Sequence, residues 1–337
     1  GVIENRPGWG QPEAEGPFMD DSAGPDRVEL ALYSNWYPVF GFGPTFDVSL
    51  DLELPRGWAV TGIGQEAEHI ETEEVTRTLW EARDVNDVVV VASPRLRSRD
   101  VSTSVGTVRF SHTRLPDDFL LRIGQEAEQT LLLFSRLLGP TGGDGTLQHV
   151  YSPRDWGQGF ARPGMIIVSE GWVLRALAED TDASFLYGNA HEAGHFWWRH
   201  GSGQGDWINE TFAEYFALLA IQSMEGEAAF QRSLTERRAS VEALAADAPA
   251  LAVVPAYSDG DGYTTRYMKG ALMLHAFREH LGDDAFFRSC RGFYESIRGG
   301  GAGTGDFRAF WSTTLEDDGL LEAWLDSPGA GPVSAGD

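Results

Sequence analysis

The chain has one cysteine, Cys290, and one lysine, Lys269, among its 337 residues. A lone cysteine excludes an intrachain disulfide framework and any cysteine-rich zinc module. With no His–Cys pairing signal near it, Cys290 reads as a buried, inert thiol. No apolar run approaches the ~18 residues of a membrane-spanning helix, and Val88 to Val91 is a strand core at most. Positive charge is scarce, with 26 basic residues against 51 acidic ones and a net charge of −25. A field of that sign repels nucleic acid and anionic membrane surfaces, which argues against both as partners. Arginine in place of lysine reads as codon bias, with salt adaptation the rival explanation for the acidic excess. The first residues show no n-region/h-region pattern, so any targeting segment lies outside this sequence. The compartment is not readable from it, an extracytoplasmic or membrane-tethered setting being favoured over a cytoplasmic one.

What is present is a large core, at 42% hydrophobic and 12% aromatic residues, enough for two domains. Residues 1–26, rich in glycine, proline and acids, read as an extended lead-in. Residues 27–115 carry short β-rich runs (VELALY, TFDVSLDLELP, WAVTGIG, VVVVASPRL, VGTVRFSH), with period-2 alternation clearest at Phe46, Val48, Leu50 and Leu52. This predicts an antiparallel β domain or part of one. From Asp117 to Leu138 the pattern is helical and stops at Gly139-Pro140. Strands at Thr146–Tyr151 and Met165–Val168 follow, then mainly helices to residue 330 and a tail over 331–337. The fold class expected is α+β. The word IGQEAE occurs at Ile63–Glu68 and Ile123–Glu128, in strand and helix contexts respectively, with no longer period behind it.

The informative segment is His191-Glu192-Ala193-Gly194-His195. Residues four apart on an α-helix emerge about 40° apart and ~6 Å along it, so both imidazoles can grip one ion. Glu192 sits beside the first ligand, where it can take a proton from a water on the metal. Thr181, Asp182 and Ser184 offer N-caps for the helix. A second helix opens at Trp207-Ile208-Asn209-Glu210-Thr211-Phe212-Ala213-Glu214-Tyr215, with Phe212, Tyr215, Phe216 and Leu219 on its core-facing stripe. Glu210 lies off that stripe in the first turn, and His₂Glu plus water is one standard catalytic zinc set.

These words, with Tyr267-Met268-Lys269-Gly270-Ala271, resemble the gluzincin metallopeptidases of the aminopeptidase N family, whose pattern is HExxH, a WLNEGFA-type helix and a YxKGA-type segment. The resemblance implies a thermolysin-like, mainly helical zinc domain with a small sheet over 116–330, behind a partial β domain. It implies one zinc ion held by His191, His195 and Glu210, Glu192 as general base, and Tyr267 stabilising the oxyanion. It implies hydrolysis of peptide bonds. Weaker likeness extends over Asn35-Trp36-Tyr37-Pro38 and over Phe307–Trp324.

Three departures accompany it. The family commonly has eighteen residues between the second histidine and the ligand glutamate, whereas His195 to Glu210 encloses fourteen (196–209). A spacing of eighteen lands on Glu214, which stays open as an alternative ligand or a partner of one. Thr211 replaces the family's glycine after the glutamate. Where a GAMEN-type exopeptidase word should precede Met165, the chain reads Gln158-Gly159-Phe160-Ala161-Arg162-Pro163-Gly164, with no glutamate to hold a substrate α-ammonium. A zinc hydrolase acting on a non-peptide or N-blocked substrate, or a binding module without turnover, are therefore the alternatives carried. The chain is expected to be a fragment of a longer polypeptide or a short relative. Among other candidates, His149 reads as a satisfied strand histidine, His200 as a surface residue, Trp197 and Trp198 as core, and Arg266 as an exposed ion pair. With Tyr257 and Tyr263 nearby, Tyr267 has a second reading as a tyrosine that caps the core with a wet hydroxyl, and Glu66–Glu74 and Glu316–Asp318 read as solvated faces.

Overall fold

The computed structural model describes residues 22–32, 36–38, 45–141, 146–155, 157, 159–179, 184–256, 258 and 260–335. Most of the lead-in, Asn35, Gln158, the cap candidates Thr181 and Asp182, and Tyr257 lie outside these residues. The strands are β1 Ser22–Ala23, β2 Val28–Leu30, β3 Phe46–Pro55, β4 Ala59–Gly62, β5 Gln65–Glu71, β6 Val75–Val85, β7 Val90–Ser93, β8 Arg97–Thr103, β9 Gly106–His112, β10 Thr146–Ser152, β11 Phe160–Arg162 and β12 Met165–Ser169. The helices are α1 Asp117–Leu138, α2 Glu170–Ala178, α3 Ser184–Gly194, α4 Asp206–Glu225, α5 Glu227–Glu242, α6 Asp261–Thr264, α7 Gly270–Leu281, α8 Asp283–Ile297, α9 Thr304–Leu315 and α10 Asp318–Leu325. The order is the expected α+β one, β-strands first and helices after. The chain forms two compact units, one of residues 1–128 with 143–185 and one of 129–142 with 186–337.

The first unit holds three sheets, in the orders β1-β2-β7-β4, β3-β6-β5 and β11-β12-β10-β9-β8. β3 alternates between half-buried and exposed residues along its whole length, as its period-2 pattern requires. β7 reads Val-Val-Ala-Ser with every residue buried, because it lies between β2 and β4, and its Val91 joins Ala31, Val150 and Ile167 in one core. Every residue of edge strand β5 is exposed, so that part of the acidic run is a solvated face. The third sheet is mixed: β9, β10 and β12 run parallel, flanked by antiparallel β8 and β11. β8 and β9 precede residue 115 and join β10 beyond it, so the change in sequence character at 115 falls inside a sheet. The buried amide of Gln148 on β10 is satisfied at both ends. It accepts from Thr61 Oγ1 at 2.9 Å and donates to the carbonyls of Gly62 and Gly64 at 3.1 and 2.7 Å.

β11 returns to β12 through Gly164, whose φ of +71° glycine adopts without strain. Its Arg162 reaches Asp87 with Nε 2.7 Å from Oδ2, and the Tyr37 hydroxyl donates to the other oxygen of Asp87 at 2.9 Å. His149 departs from expectation. It is buried, stacked 4.7 Å from Tyr151, and neither ring nitrogen has a hydrogen-bond partner. Burial lowers its pKa to about 3, so it is a neutral aromatic spacer rather than a satisfied polar group.

The second unit is built around α4. The stripe of Phe212, Tyr215, Phe216 and Leu219 is buried as expected, but so is nearly every residue from Trp207 to Ile221. Aromatic packing explains this. Trp198 stacks 3.9 Å from Phe212, Phe134 meets Phe216 edge-on at 5.4 Å, and Trp207 meets Phe307 at 4.9 Å. Trp197 and Trp198 are core, and Cys290 is fully buried, with burial pushing its thiol pKa well above the usual range.

The Asp87–Arg162 pair yields a stability prediction. Asp87→Ala removes a fully buried carboxylate from the half-buried guanidinium of Arg162, and breaking a buried pair typically costs about 3–5 kcal/mol. Urea denaturation should show a loss of that order in the first unit's transition, and a loss under about 1 kcal/mol would contradict the pairing argument.

Candidate metal centre

α3 ends at Gly194, and His195 lies in the turn that follows rather than on the helix proper. Tighter i→i−3 bonds take over there: the amides of His195, Phe196 and Trp197 bond to the carbonyls of Glu192, Ala193 and Gly194 at 3.2, 3.1 and 3.1 Å. The helix stops where it crosses α4 closely, since a β-carbon on Gly194 would stand 3.0 Å from Ala213 Cα. The expectation that one continuous helix carries both imidazoles is corrected to that extent. The turn still brings the two rings together edge-to-face, with centroids 5.0 Å apart.

Both Nε2 atoms point at one oxygen. Glu210 Oε2 lies 3.3 Å from His191 Nε2 and 3.5 Å from His195 Nε2. His191, His195 and Glu210 are the group among the described residues that can hold a metal ion, with ligand atoms within 4.8 Å of one another. The geometry fits zinc. Tetrahedral ligands at zinc's usual bond lengths sit about 3.3–3.5 Å from each other, which is longer than a good hydrogen bond. Glu210 Oε2 is buried and has no hydrogen-bond partner, so it is an acceptor waiting for a cation. Burial works to raise the Glu210 pKa, but the two imidazoles outweigh it and hold the carboxyl well below the usual range. Burial alone would depress His191; the Glu210 and Glu214 carboxylates outweigh it and push the imidazole up to about 10. The cluster is thus arranged to keep positive charge at its centre.

The other ring nitrogens are held as metal-bound histidines require. His195 Nδ1 meets the Trp198 carbonyl at 3.0 Å. His191 Nδ1 stands 3.3 Å from Glu214 Oε2, close but off the line of a good hydrogen bond. Glu214 is fully buried and belongs to a different set of partners from Glu210. It accepts from the Tyr187 hydroxyl and pairs with Arg237, whose Nε is 2.7 Å from Oε1. Burial works to raise its pKa, yet His191 and Arg237 bring it down to about 2. Of the two glutamates weighed from the sequence, Glu210 therefore faces both imidazoles from the ion's side, and Glu214 orients one of them from behind.

Tyr267 lies in a π-helical turn, Thr265–Lys269, with its ring stacked over His191 at 5.5 Å and on Tyr263 at 4.2 Å. Burial first, and then the Glu210 charge, raise its pKa well above the usual value, so the phenol keeps its proton for donation. Glu192 is half-buried on α3 beside His191. Arg266 is corrected: it is buried, with Nη1 3.3 Å from Asp206 Oδ2 and Nη2 donating to Ser258 C=O at 2.9 Å. Burial and Glu210 together raise Asp206 to about 6. Tyr187, Arg237, Asp206 and the stacking role of Tyr263 escaped the sequence reading. Only Tyr187, one helical turn before His191, carried a positional signal.

No family model matches the chain. Aminopeptidase N of Lactobacillus delbrueckii subsp. lactis is 29% identical over 144 residues, which are 38% of this chain and 16% of that one. A two-domain M1 zinc metallopeptidase mutant bound to L-arginine superposes with a TM-score of 0.73 at 19% identity, covering 99% of this chain and 76% of that structure. The chain has the M1 zinc metallopeptidase fold. It is similar to part of aminopeptidase N and spans 16% of the length of that relative. The M1 zinc metallopeptidase of Deinococcus radiodurans superposes with a TM-score of 0.63 at 19% identity, covering 82% of this chain, which spans 62% of that one. Yeast LTA4 hydrolase in complex with bestatin gives 0.68 at 19% identity, covering 90% of this chain and 50% of that one. The cofactor this fold implies is a zinc ion, which the donor set fits.

Metal analysis separates the two glutamates. Glu210→Ala should lose zinc on dialysis. Glu214→Ala should keep it with affinity weakened about 10- to 100-fold. Retention by the Glu210 variant and loss by the Glu214 variant would reverse the assignment.

Proposed function

We propose that the chain is a zinc-dependent metallopeptidase that hydrolyses peptide bonds, with His191, His195 and Glu210 as ligands. The observation that carries the reading is the convergence of both Nε2 atoms on Glu210 Oε2 at 3.3 and 3.5 Å, with the half-buried Tyr267 ring stacked over His191. Likeness to M1 zinc metallopeptidases, one of them bound to a Tyr-Ser-Ala substrate, supports a peptide substrate.

Zinc, when bound, supplies an electrophile and brings the pKa of a coordinated water toward ~7. Glu192, next to His191 on α3, takes a proton from the attacking water on its carboxylate and passes it to the departing amine nitrogen. The Tyr267 hydroxyl donates a hydrogen bond to the oxygen on which negative charge develops. Glu214, braced by Arg237 and Tyr187, holds the His191 ring; the Trp198 carbonyl does the same for His195. Each of these groups lies in the second compact unit.

A second reading, hydrolysis of N-blocked or non-peptide substrates, is favoured by one feature. The segment before β12 carries Ala161 and Arg162, and no glutamate, where the resembled family clamps an α-ammonium. Arg162 is itself engaged by Asp87. No helix among the described residues is long and apolar enough to cross a membrane.

Two measurements test the proposal. Glu192→Gln should lower kcat about 10²–10⁴-fold with zinc retained, and Tyr267→Phe about 10²–10³-fold. Undiminished hydrolysis in Glu192→Gln would remove the mechanism. Comparing one peptide with its N-acetylated form decides between the readings: a strict need for the free amine selects the exopeptidase, and indifference selects the second.

A further inference from the structure

Tyr267 sits at the centre of a turn whose backbone is out of α-helical register. In an α-helix the Gly270 amide would bond to the Arg266 carbonyl. Here it bonds to the carbonyls of Thr265 and Tyr267. A buried carbonyl needs a donor from elsewhere, and single π turns persist where something supplies one. The donor is the hydroxyl of Thr211, which reaches the Arg266 carbonyl at 2.7 Å. Thr211 is fully buried and directly follows Glu210 on α4. The contact depends on Gly270, since a β-carbon there would stand 1.9 Å from Thr211 Oγ1 and 2.8 Å from Thr211 Cβ. The Arg266 side chain is gripped by the same helix, with Nη1 3.3 Å from Asp206 Oδ2 and the guanidinium carbon 5.5 Å from the Tyr267 ring centroid. α4 thus holds the turn from positions on either side of Glu210 in the sequence.

We infer that Thr211 is a positioning residue whose hydroxyl locks the π turn, and so fixes Tyr267 relative to the helix that carries Glu210. Its catalytic consequence rests on the reading of Tyr267 as oxyanion donor. Two features make the coupling a property of this chain rather than of the words it resembles. The resembled motif has glycine after the glutamate, which has no hydroxyl to donate. And the space that Thr211 fills is the one left open by Gly270, so the two residues are matched to each other.

Thr211→Val keeps the shape and removes the donor. It is compared with wild type and with Thr211→Ser, which keeps the hydroxyl, using the full chain in metal-free and zinc-loaded forms. Hydrogen–deuterium exchange of peptides covering 261–271 should quicken at least several-fold in Thr211→Val, in both forms, and stay near wild type in Thr211→Ser. Zinc content should be unchanged. With peptide substrate, kcat should fall about 10- to 100-fold in Thr211→Val with KM nearly constant, as for a misplaced catalytic group. In a Tyr267→Phe background the same substitution should bring no further loss, because the group it positions is already gone. Unchanged exchange in Thr211→Val would overturn the locking. An equal kcat loss in the Tyr267→Phe background would overturn the positioning role. If Tyr267→Phe alone leaves kcat intact, the assignment of Tyr267 fails and the exchange comparison alone decides the coupling. Should Thr211→Val not fold, Thr211→Ala removes the same hydroxyl and carries the same expectations.

Discussion

One carboxylate oxygen facing two imidazole nitrogens is the constraint on which the second unit is organised. Glu210 Oε2 is buried, unbonded to any hydrogen donor, and spaced from His191 and His195 as ligands of one ion are spaced. Leaving such an atom without a cation is costly in a protein interior. The surroundings supply charge and shape to match, and their arrangement is hard to explain by packing alone. Buried ion pairs are seldom retained for stability, since apolar residues of similar size often serve as well. Here the buried Glu214–Arg237 pair is joined to a histidine that faces the centre.

Holding that oxygen in place requires α4 to be immobile. Aromatic rings on several sides bury the helix almost completely, and two neighbours approach it through missing β-carbons, at Gly194 and Gly270. Close approach at Gly194 sets α3 against α4 and therefore the imidazoles against Glu210. Close approach at Gly270 sets the Tyr267 turn against Thr211. The two glycines of the motifs HEAGH and YMKGA thus act through backbone proximity rather than through chain flexibility. Polar second partners then orient each ring: a main-chain carbonyl for His195, and a carboxylate already committed to Arg237 and Tyr187 for His191.

Local patterning made much of this legible. The helix Asp117–Leu138 has its expected bounds because a proline and a glycine end it, and β3 alternates because one of its faces is half-buried. The spacing of His191 and His195 and the word around Glu210 named the cluster that the fold brings together. What stayed hidden was tertiary. Arg237 comes from α5, with nothing in its neighbourhood to mark it as the partner of Glu214. Thr211 stood out only as a replacement for glycine, since a hydroxyl's acceptor on another element leaves no trace in spacing. His149 shows the opposite failure, a polar residue on a strand that makes no polar contact, because its buried ring packs against Phe110 and Tyr151. The turn after Gly194 was also unreadable, as residues 195–198 carry a helical pattern and are released from it by the crossing of α3 and α4.

The central claim, one zinc ion shared by two imidazoles and a single carboxylate, is tested most directly by diffraction from zinc-loaded crystals at the zinc absorption edge. The account predicts one anomalous peak about 2.0–2.2 Å from His191 Nε2, His195 Nε2 and Glu210 Oε2, with Glu214 outside the coordination sphere. An ion ligated by Glu214, or zinc-soaked crystals with no peak between the two histidines, would contradict it.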